Sequence, residues 1–317
     1  MTRTTEFLVE AVFGCVPSRK VSNLDVCAAL AGREKAEALV KTTGFAERRI
    51  VEPGVTVEDL MVGAARLALE GVAAVDVGAV VAVTFSSLRR FPAVAASVSA
   101  RLGLSGNVAA VDISMACSGY PYGLFVAGQF AAATGKKVLL LDGDVQSAFV
   151  DPSDVNTVAV MSDAATATLV APGDSGGTAL FDFLTDGARD DVLSCSARGP
   201  VKMDGFGVFR FVAADVTAFL RDFLSAAGER PDVFVPHAAN MYMVRQLAAS
   251  LGLEDQLASA GKRYANTGSC SVPLAIASSS AAGRALLAGF GAGLSASAAL
   301  VRIPPGIRRG VVESSLT

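Results

Sequence analysis

The sequence has little of several residue types, and each scarcity excludes a class of protein. One histidine, His237, among 317 residues excludes a metal site made of several histidines, and tryptophan is absent. The 27 lysine and arginine residues against 30 acidic ones leave no positive excess for binding nucleic acid. Five scattered cysteines without a CxxC pair favour neither zinc nor disulfides, and no apolar signal segment is recognisable at the N-terminus. We therefore expect a cytoplasmic protein without a metal or a cofactor.

Hydrophobic residues are abundant instead, at 52% of the chain with a mean hydropathy of +0.48. Two stretches, 113–135 and 285–301, carry no charge at all. The first is long enough to cross a membrane, but serine, glycine and proline residues interrupt it. A helix in the centre of a soluble domain is apolar on all sides for the same reason, so we expect buried segments and no membrane span.

Apolar strands alternate with helical patterns along both halves of the chain. The pattern predicts strands at 79–85, 108–113, 138–142, 233–237, 285–293 and 295–303, with two short strands within 157–170. It predicts helices at 57–70, 213–227, 241–252 and 274–282. Buried strands that alternate with helices indicate an α/β sheet covered on both faces. The order repeats with an offset of 153 residues, which also separates Cys117 from Cys270. We therefore predict two similar stacked α/β units, 1–172 and 173–317, joined near 172–176.

Three positions carry residue types suited to nucleophilic acyl transfer. Cys117 follows a predicted strand at the start of the uncharged helix, where the helix N-terminus would favour a thiolate. His237 follows a strand at the edge where α/β sheets bind ligands, and Asn240 lies one turn further on. Asn266 lies in a turn before another helix, where an asparagine usually bonds its own backbone. A thiol, an imidazole and a carboxamide at such strand ends suggest acyl chemistry.

The other cysteines and the glycine cluster have simpler interpretations. Cys15, Cys27 and Cys195 are expected to be small buried hydrophobic residues. The glycine-rich segment 289–293 could cradle phosphate, allow a tight turn, or supply backbone N–H groups to an oxyanion hole.

Seven segments in this order resemble the type III ketoacyl synthases, condensing enzymes with a thiolase fold. They are KTTGFAERRI at 41–50, DISMACSGYPYGL at 112–124, DGDVQSAFVDPSD at 142–154, KMDGFGVFRF at 202–211, VPHAAN at 235–240, YANTGSCSVP at 264–273, and GFGAG followed by ALVR near the C-terminus. The resemblance covers nearly the whole chain. It implies a thiolase-like α/β fold in which two similar halves stack as α-β-α-β-α layers.

The resemblance also implies roles for individual residues. Cys117 would be the nucleophile that accepts the acyl group, and the backbone N–H groups of Cys117 and Gly293 would hold the oxyanion. His237 and Asn266 would bind the thioester carbonyl of the malonyl extender, stabilising the enolate as two neutral donors. An apolar surrounding that lowers the pKa of His237 would help, because the imidazole must be neutral.

This sequence departs from the family's bacterial housekeeping members at positions that, in those members, bind coenzyme A or acyl carrier protein. The tryptophan and arginines of those members are matched here by Ala38, Thr42, Ala148 and Tyr242. A specialised member is therefore expected, primed by an acyl-CoA or an acyl-carrier protein and extended by malonyl-acyl carrier protein. The resemblance implies a homodimer with Phe91 near the partner's acyl pocket. Candidate substrate contacts are Phe91, Phe206, Arg210 and Asn240, and Arg89 and Arg90 are further candidates.

The sequence is compatible with two other functions. The same fold could move an acyl group from Cys117 to an alcohol or amine without forming a carbon–carbon bond. The chain could also be an inactive partner in a heterodimeric condensing enzyme. Retention of both His237 and Asn266 favours condensation.

Overall fold

Two β-sheets organise the fold. The computed structural model describes residues 2–3, 6–104, 106–173, 178–196 and 199–314. The strands are β1 Thr2–Arg3, β2 Phe7–Pro17, β3 Lys20–Ser22, β4 Glu47–Arg49, β5 Val77–Val83, β6 Ala109–Ile113, β7 Lys137–Asp144, β8 Ala164–Pro172, β9 Leu180–Thr185, β10 Leu193–Cys195, β11 Val201–Met203, β12 Val233–Pro236, β13 Gly283–Gly291, β14 Ser295–Ile303 and β15 Arg308–Ser314. The helices are α1 Asn23–Ala31, α2 Arg33–Thr43, α3 Val57–Ala68, α4 Val94–Arg101, α5 Gly119–Thr134, α6 Val155–Val158, α7 Gly205–Phe211, α8 Thr217–Ala227, α9 Met241–Leu251, α10 Gly261–Tyr264 and α11 Ser271–Ala277, and a π-helical segment, Val212–Val216, joins α7 to α8.

The two large sheets share one strand order. The first runs β15-β2-β8-β7-β5-β6 and the second β1-β9-β14-β13-β12. In both, a parallel pair (β5 with β7, β12 with β13) is followed by two antiparallel neighbours (β8 and β2, β14 and β9). The terminal strands cross over, since β1 joins the second sheet and β15 the first. The division of the chain between residues 172 and 173 stays a prediction, and residues 174–176 of the predicted junction lie outside the described part.

Helices fill the space between the sheets and cover their outer faces. Helix α5 contacts β5, β7 and β8 of the first sheet and β13 and β14 of the second, and α11 also contacts both sheets. Helices α3 and α4 pack on the first sheet, and α8 packs near the second. The order α-β-α-β-α confirms the predicted thiolase-like layering.

The central position of α5 explains its lack of charge. Its 16 residues carry no acidic or basic side chain, and both faces meet apolar sheet surfaces. Gly119 and Gly123 allow the close approach, because a Cβ at either position would lie within 3 Å of a Val83 methyl carbon. Among the described residues, no helix combines the length and apolarity needed to cross a membrane.

Several predicted elements differ from those observed. The segment 157–170 begins inside α6, where Asp154 caps the helix by accepting the N–H of Asn156, so only β8 is a strand. The helix expected at 274–282 is α11, which begins three residues earlier, at Ser271, and ends at Ala277. The two strands predicted at 285–293 and 295–303 are confirmed, as the antiparallel pair β13–β14. Strands β2 and β15 were not predicted; β2 is a nearly continuous apolar run, and the only strongly apolar residues of β15 (RRGVVES) are two valines.

Candidate active site

One cavity of about 760 Å³ brings the three predicted chemical groups together. Its walls include Cys117 from the turn before α5, His237 from the end of β12, and Asn266 from the loop before α11. Cys117 follows β6 of the first sheet, His237 follows β12 of the second sheet, and Asn266 lies in a loop. The site is therefore assembled from both sheets.

A short 3₁₀ turn, Ala116–Ser118, presents Cys117 at the entrance to α5. Ala116 has φ +43°, and Ala265, directly before Asn266, has φ +56°. Among the described residues these are the two non-glycine positions with positive φ, a conformation that costs about 1–3 kcal/mol and clusters at functional sites. The backbone is thus strained immediately before two of the three predicted site residues.

Gly291 closes the wall behind the nucleophile. A Cβ at this position would lie 2.9 Å from Cβ of Cys117 and 3.4 Å from its Sγ, and the residue has φ +154°. Glycine is therefore required there for close approach of the β13 backbone to the thiol.

The predicted thiolate character of Cys117 is wrong. Burial, and secondarily the negative charge of Asp144, raise the pKa of the thiol to about 12, which outweighs the opposing hydrogen bond from its own backbone N–H. The group is a neutral thiol at neutral pH. A high-pKa thiol gives a strong nucleophile once it loses its proton.

His237 is buried and neutral, as its predicted role requires. Burial lowers the pKa of its imidazole to about 4, against a smaller opposite effect of the Gly268 carbonyl. Phe290 packs edge-on against the ring, with centroids 5.4 Å apart. Its Nδ1 lies 3.0 Å from the Gly268 carbonyl oxygen and 2.9 Å from Oγ of Ser271, so Nε2 is the nitrogen left for the cavity.

The two ends of the Asn266 side-chain amide are bonded unequally: its oxygen is held by a backbone N–H, and its nitrogen is held only weakly. Oδ1 accepts the backbone N–H of Gly268 at 3.0 Å, whereas Nδ2 makes only a long contact of 3.4 Å to the Ala239 carbonyl. Gln146 fixes the loop by donating to the backbone carbonyl of Asn266 at 2.8 Å. The side chain can therefore offer an N–H to a ligand oxygen in the cavity.

Two buried carboxyl groups lie at the end of β7, below this loop. Oδ1 of Asp144 accepts from the hydroxyl of Thr84 at 2.9 Å and from the backbone N–H groups of Phe85 and Ser86. Burial nevertheless raises the pKa of Asp144 to about 7, and it raises the pKa of Asp142 as well. Sequence reasoning did not identify this pair, since nothing in DGD signals that both side chains are buried.

The structure separates the remaining predicted contacts into two groups. Gly293 and Asn240 line the cavity, although Oδ1 of Asn240 caps α9 by accepting the N–H of Met243 at 2.8 Å. Phe91, Phe206 and Arg210 do not line it; Phe91 is 84% exposed and Phe206 70% exposed. The side chains of Phe91, Phe206 and Arg210 point to solvent in the single chain, which the sequence pattern did not indicate.

Other outcomes concern the arginines and cysteines. Arg89 and Arg90 do line the cavity, and Arg89 also pairs with Glu58 at 3.4 Å. Cys15 and Cys27 are buried as predicted, but Cys195 is exposed on the cavity wall, so its expected burial is wrong.

A layered thiolase-like fold with a cysteine, a histidine and an asparagine around one cavity defines the class of condensing enzymes. Family models described as 3-oxoacyl-[acyl-carrier-protein (ACP)] synthase III and its C-terminal part match residues 111–187 and 226–303. The chain belongs to this family, and it is an acyltransferase of the ketoacyl synthase III type.

Related proteins agree over nearly the full length. A "Beta-ketoacyl-[acyl-carrier-protein] synthase III 2" of Streptomyces coelicolor is 35% identical, covering 93% of each chain. A synthase III of Shewanella oneidensis is 33% identical, covering 83% of this chain and 90% of that one. These relatives confirm the family assignment drawn from the seven motifs.

Solved structures agree with the fold. A 3-oxoacyl-(acyl-carrier protein) synthase from Burkholderia xenovorans LB400 superimposes with a TM-score of 0.93 at 28% identity, covering 99% of this chain and 98% of that one. The priming β-ketosynthase from the R1128 polyketide biosynthetic pathway has a TM-score of 0.87 at 31% identity, with coverages of 95% and 97%.

Proposed function

We propose that this protein makes a 3-oxoacyl thioester in two half-reactions at one cavity, with Cys117, His237 and Asn266 as its catalytic residues. The observation that carries the proposal is their convergence on one cavity, with a neutral imidazole and an amide whose Nδ2 makes only one long contact, to the Ala239 carbonyl. The acyl donor is an acyl-CoA or an acyl-carrier protein, and the extender is malonyl-acyl carrier protein. The names of the family and of its relatives support the carrier as the partner.

In the first half-reaction Sγ of Cys117 attacks the carbonyl carbon of the donor thioester. A new sulfur–carbon bond forms, the donor's sulfur–carbon bond breaks, and the thiol proton ends on the departing thiol. Negative charge develops on the carbonyl oxygen, where backbone N–H groups of Cys117 and Gly293 would stabilise it. Gly293 lies on the cavity wall with Cys117, which supports this role.

In the second half-reaction the malonyl thioester loses carbon dioxide, and its bonding electrons form an enolate. Nε2–H of His237 and Nδ2–H of Asn266 donate to the enolate oxygen, and neutral donors suffice because burial disfavours an imidazolium. The enolate carbon attacks the acyl group on Cys117, and the carbon–sulfur bond breaks. The released thiolate takes up a proton, which the high pKa of Cys117 favours.

The cavity walls suit an apolar acyl chain and a polar carrier arm. Apolar side chains dominate one part of the lining, including Phe85, Phe149, Met161, Met203 and Val208. Arg89 and Arg90 add positive charge to the lining, suited to a phosphate of the donor. Ala38, Thr42 and Ala148, the counterparts of the family's nucleotide contacts, are exposed and lie outside the lining, in agreement with a specialised primer.

A homodimer is also proposed, from the free edge of the first sheet. Strand β6 pairs with β5 on one side, and no described strand pairs with its other edge. Leu88 and Phe91, in the loop after β5, are 75% and 84% exposed. Pairing two copies along β6 would cover this edge and bring each Phe91 towards the partner's cavity. A molar mass of about twice 32.3 kDa from light scattering supports the dimer, and a monomer at micromolar concentration contradicts it.

The roles of Asn266 and Cys117 can be separated experimentally. We expect Asn266→Ala to accept an acyl group on Cys117, detected by intact mass, but to lose decarboxylation of malonyl carrier protein. Cys117→Ala should take up no acyl group. Loss of acylation with retained decarboxylation in Asn266→Ala would contradict the assignment.

A further inference from the structure

The hydroxyl of Ser271 lies beside the only imidazole of the protein. Ser271 begins α11 and is 2% exposed, and its Oγ is 2.9 Å from Nδ1 of His237. A second oxygen, the Gly268 carbonyl, is 3.0 Å from the same nitrogen. One ring nitrogen thus faces two oxygens, and these differ in what they can do.

The carbonyl oxygen can only accept a hydrogen bond, whereas a hydroxyl can both donate and accept. Facing the carbonyl alone, Nδ1 would have to carry the imidazole proton, and Nε2 would present a lone pair to the cavity. Facing a donating hydroxyl, Nδ1 accepts and the proton resides on Nε2. The hydroxyl is therefore the group that makes the second tautomer possible.

The surroundings of Ser271 permit this donation. Its Oγ accepts the backbone N–H of Ala238 at 3.1 Å, which holds the oxygen in place. The hydroxyl hydrogen can still rotate towards different acceptors. That proton has two acceptors, Nδ1 of His237 at 2.9 Å and the Gly268 carbonyl at 2.8 Å. When it turns to Nδ1, the carbonyl still receives the backbone N–H of Ser271.

We propose that Ser271 is a positioning residue, whose hydroxyl donates to Nδ1 of His237 and keeps the imidazole proton on Nε2, facing the extender thioester. The inference rests on the proposed function, in which Nε2–H and the amide of Asn266 hold the enolate oxygen together. Ser271 touches no substrate in this account and acts through the tautomer of His237.

Ser271→Ala removes the donor and leaves the Gly268 carbonyl beside Nδ1, so the proton moves to Nδ1. Decarboxylation of malonyl carrier protein should fall about ten- to a hundredfold, the effect expected when one buried hydrogen bond is lost. Acylation of Cys117 should be unchanged. Ser271→Thr keeps a hydroxyl and should restore decarboxylation to within about threefold of the wild-type rate.

The tautomer can be observed directly, because His237 is the only histidine. In ¹⁵N-histidine-labelled protein bound to a malonyl-amide analogue that cannot decarboxylate, we expect wild type and Ser271→Thr to carry the proton on Nε2. Ser271→Ala should carry it on Nδ1. Wild type protonated at Nδ1, or Ser271→Ala protonated at Nε2, would overturn the inference.

Failure of the two proposals can be distinguished. If wild type forms an acyl adduct and releases carbon dioxide but the tautomer does not depend on Ser271, only the inference about Ser271 fails. If wild type forms no adduct with any donor and releases no carbon dioxide, the proposed function fails with it.

Discussion

Replacement of Gly119 by alanine should disturb both stability and the nucleophile, because the helix carrying the site touches the sheet at this residue. An ideal Cβ there would lie 2.3 Å from Cγ1 of Val83, well inside the 3.0 Å that real Cβ atoms keep. The backbone is already helical, with φ −67° and ψ −35°, so the effect is one of packing. Overpacking lowers the free energy of unfolding by about 1–3 kcal/mol, and the higher helix propensity of alanine raises it by up to about 1 kcal/mol. The free energy of unfolding should therefore fall by about 1–2 kcal/mol.

Because Gly119 lies two residues after Cys117, a displaced helix also misplaces the thiol. Displacements near 1 Å can slow catalysis about a hundredfold, so acylation of Cys117 should slow at least about tenfold. Urea unfolding and the rate of mass increase with an acyl-CoA measure the two effects. Gly187→Ala is the matched control, since a Cβ there meets nothing within 4 Å.

A double mutant tests the cause. Val83→Ala removes the clashing methyl group, so the Gly119→Ala/Val83→Ala protein should lose at least about 1 kcal/mol less than the sum of the single changes. Additive losses, or a Gly119→Ala protein as stable and as readily acylated as wild type, would refute the packing argument.

Three further results are expected. Because the pKa of Asp144 is raised in the folded protein, the folded state still holds the carboxyl proton at pH values above 3.8, where the unfolded chain has lost it. The free energy of unfolding therefore falls as pH rises towards 7. Between pH 5 and pH 8 the free energy of unfolding of wild type should fall by about 3 kcal/mol relative to Asp144→Asn in urea titrations, and parallel curves would contradict this. Because the pKa of Cys117 is about 12, the rate of its alkylation by iodoacetamide should rise about tenfold per pH unit from pH 7 to 10. Peptide mass mapping follows the modification of this residue, and a plateau of the rate in that range would show a lower pKa. Gly291→Ala should slow acylation about tenfold or more, since its Cβ would lie 2.9 Å from Cβ of Cys117, whereas Gly205→Ala, where a Cβ meets nothing within 4 Å, should not.

The alternation of strands and helices and the three chemical groups could be predicted because they depend on local patterns, whereas the thiolase-like layering was implied by the family resemblance. Apolar runs flanked by turns give strands irrespective of distant contacts, and Cys117, His237 and Asn266 each stand in a recognisable segment. The extra strand pairings of β1 with β9 and of β15 with β2 could not be predicted, since each joins segments that are far apart in the sequence.

Electrostatic properties depended on the three-dimensional arrangement. The helix N-terminus next to Cys117 indicated a low pKa, but burial and Asp144, which is 27 residues away in the sequence, reverse the direction. The exposure of Phe206, Arg210 and Cys195 likewise depends on how α7 and β10 pack, which no local pattern records.

The central claim is that an acyl group on Cys117 is condensed with an enolate held by His237 and Asn266. It is tested most directly by incubating the protein with acyl-thioester donors, then adding malonyl carrier protein, while following intact mass and released carbon dioxide. The account predicts an acyl adduct on Cys117 that disappears as carbon dioxide and a 3-oxoacyl carrier protein form in equal amounts. An adduct that persists without release of carbon dioxide, or that passes to an alcohol or amine instead, would contradict it.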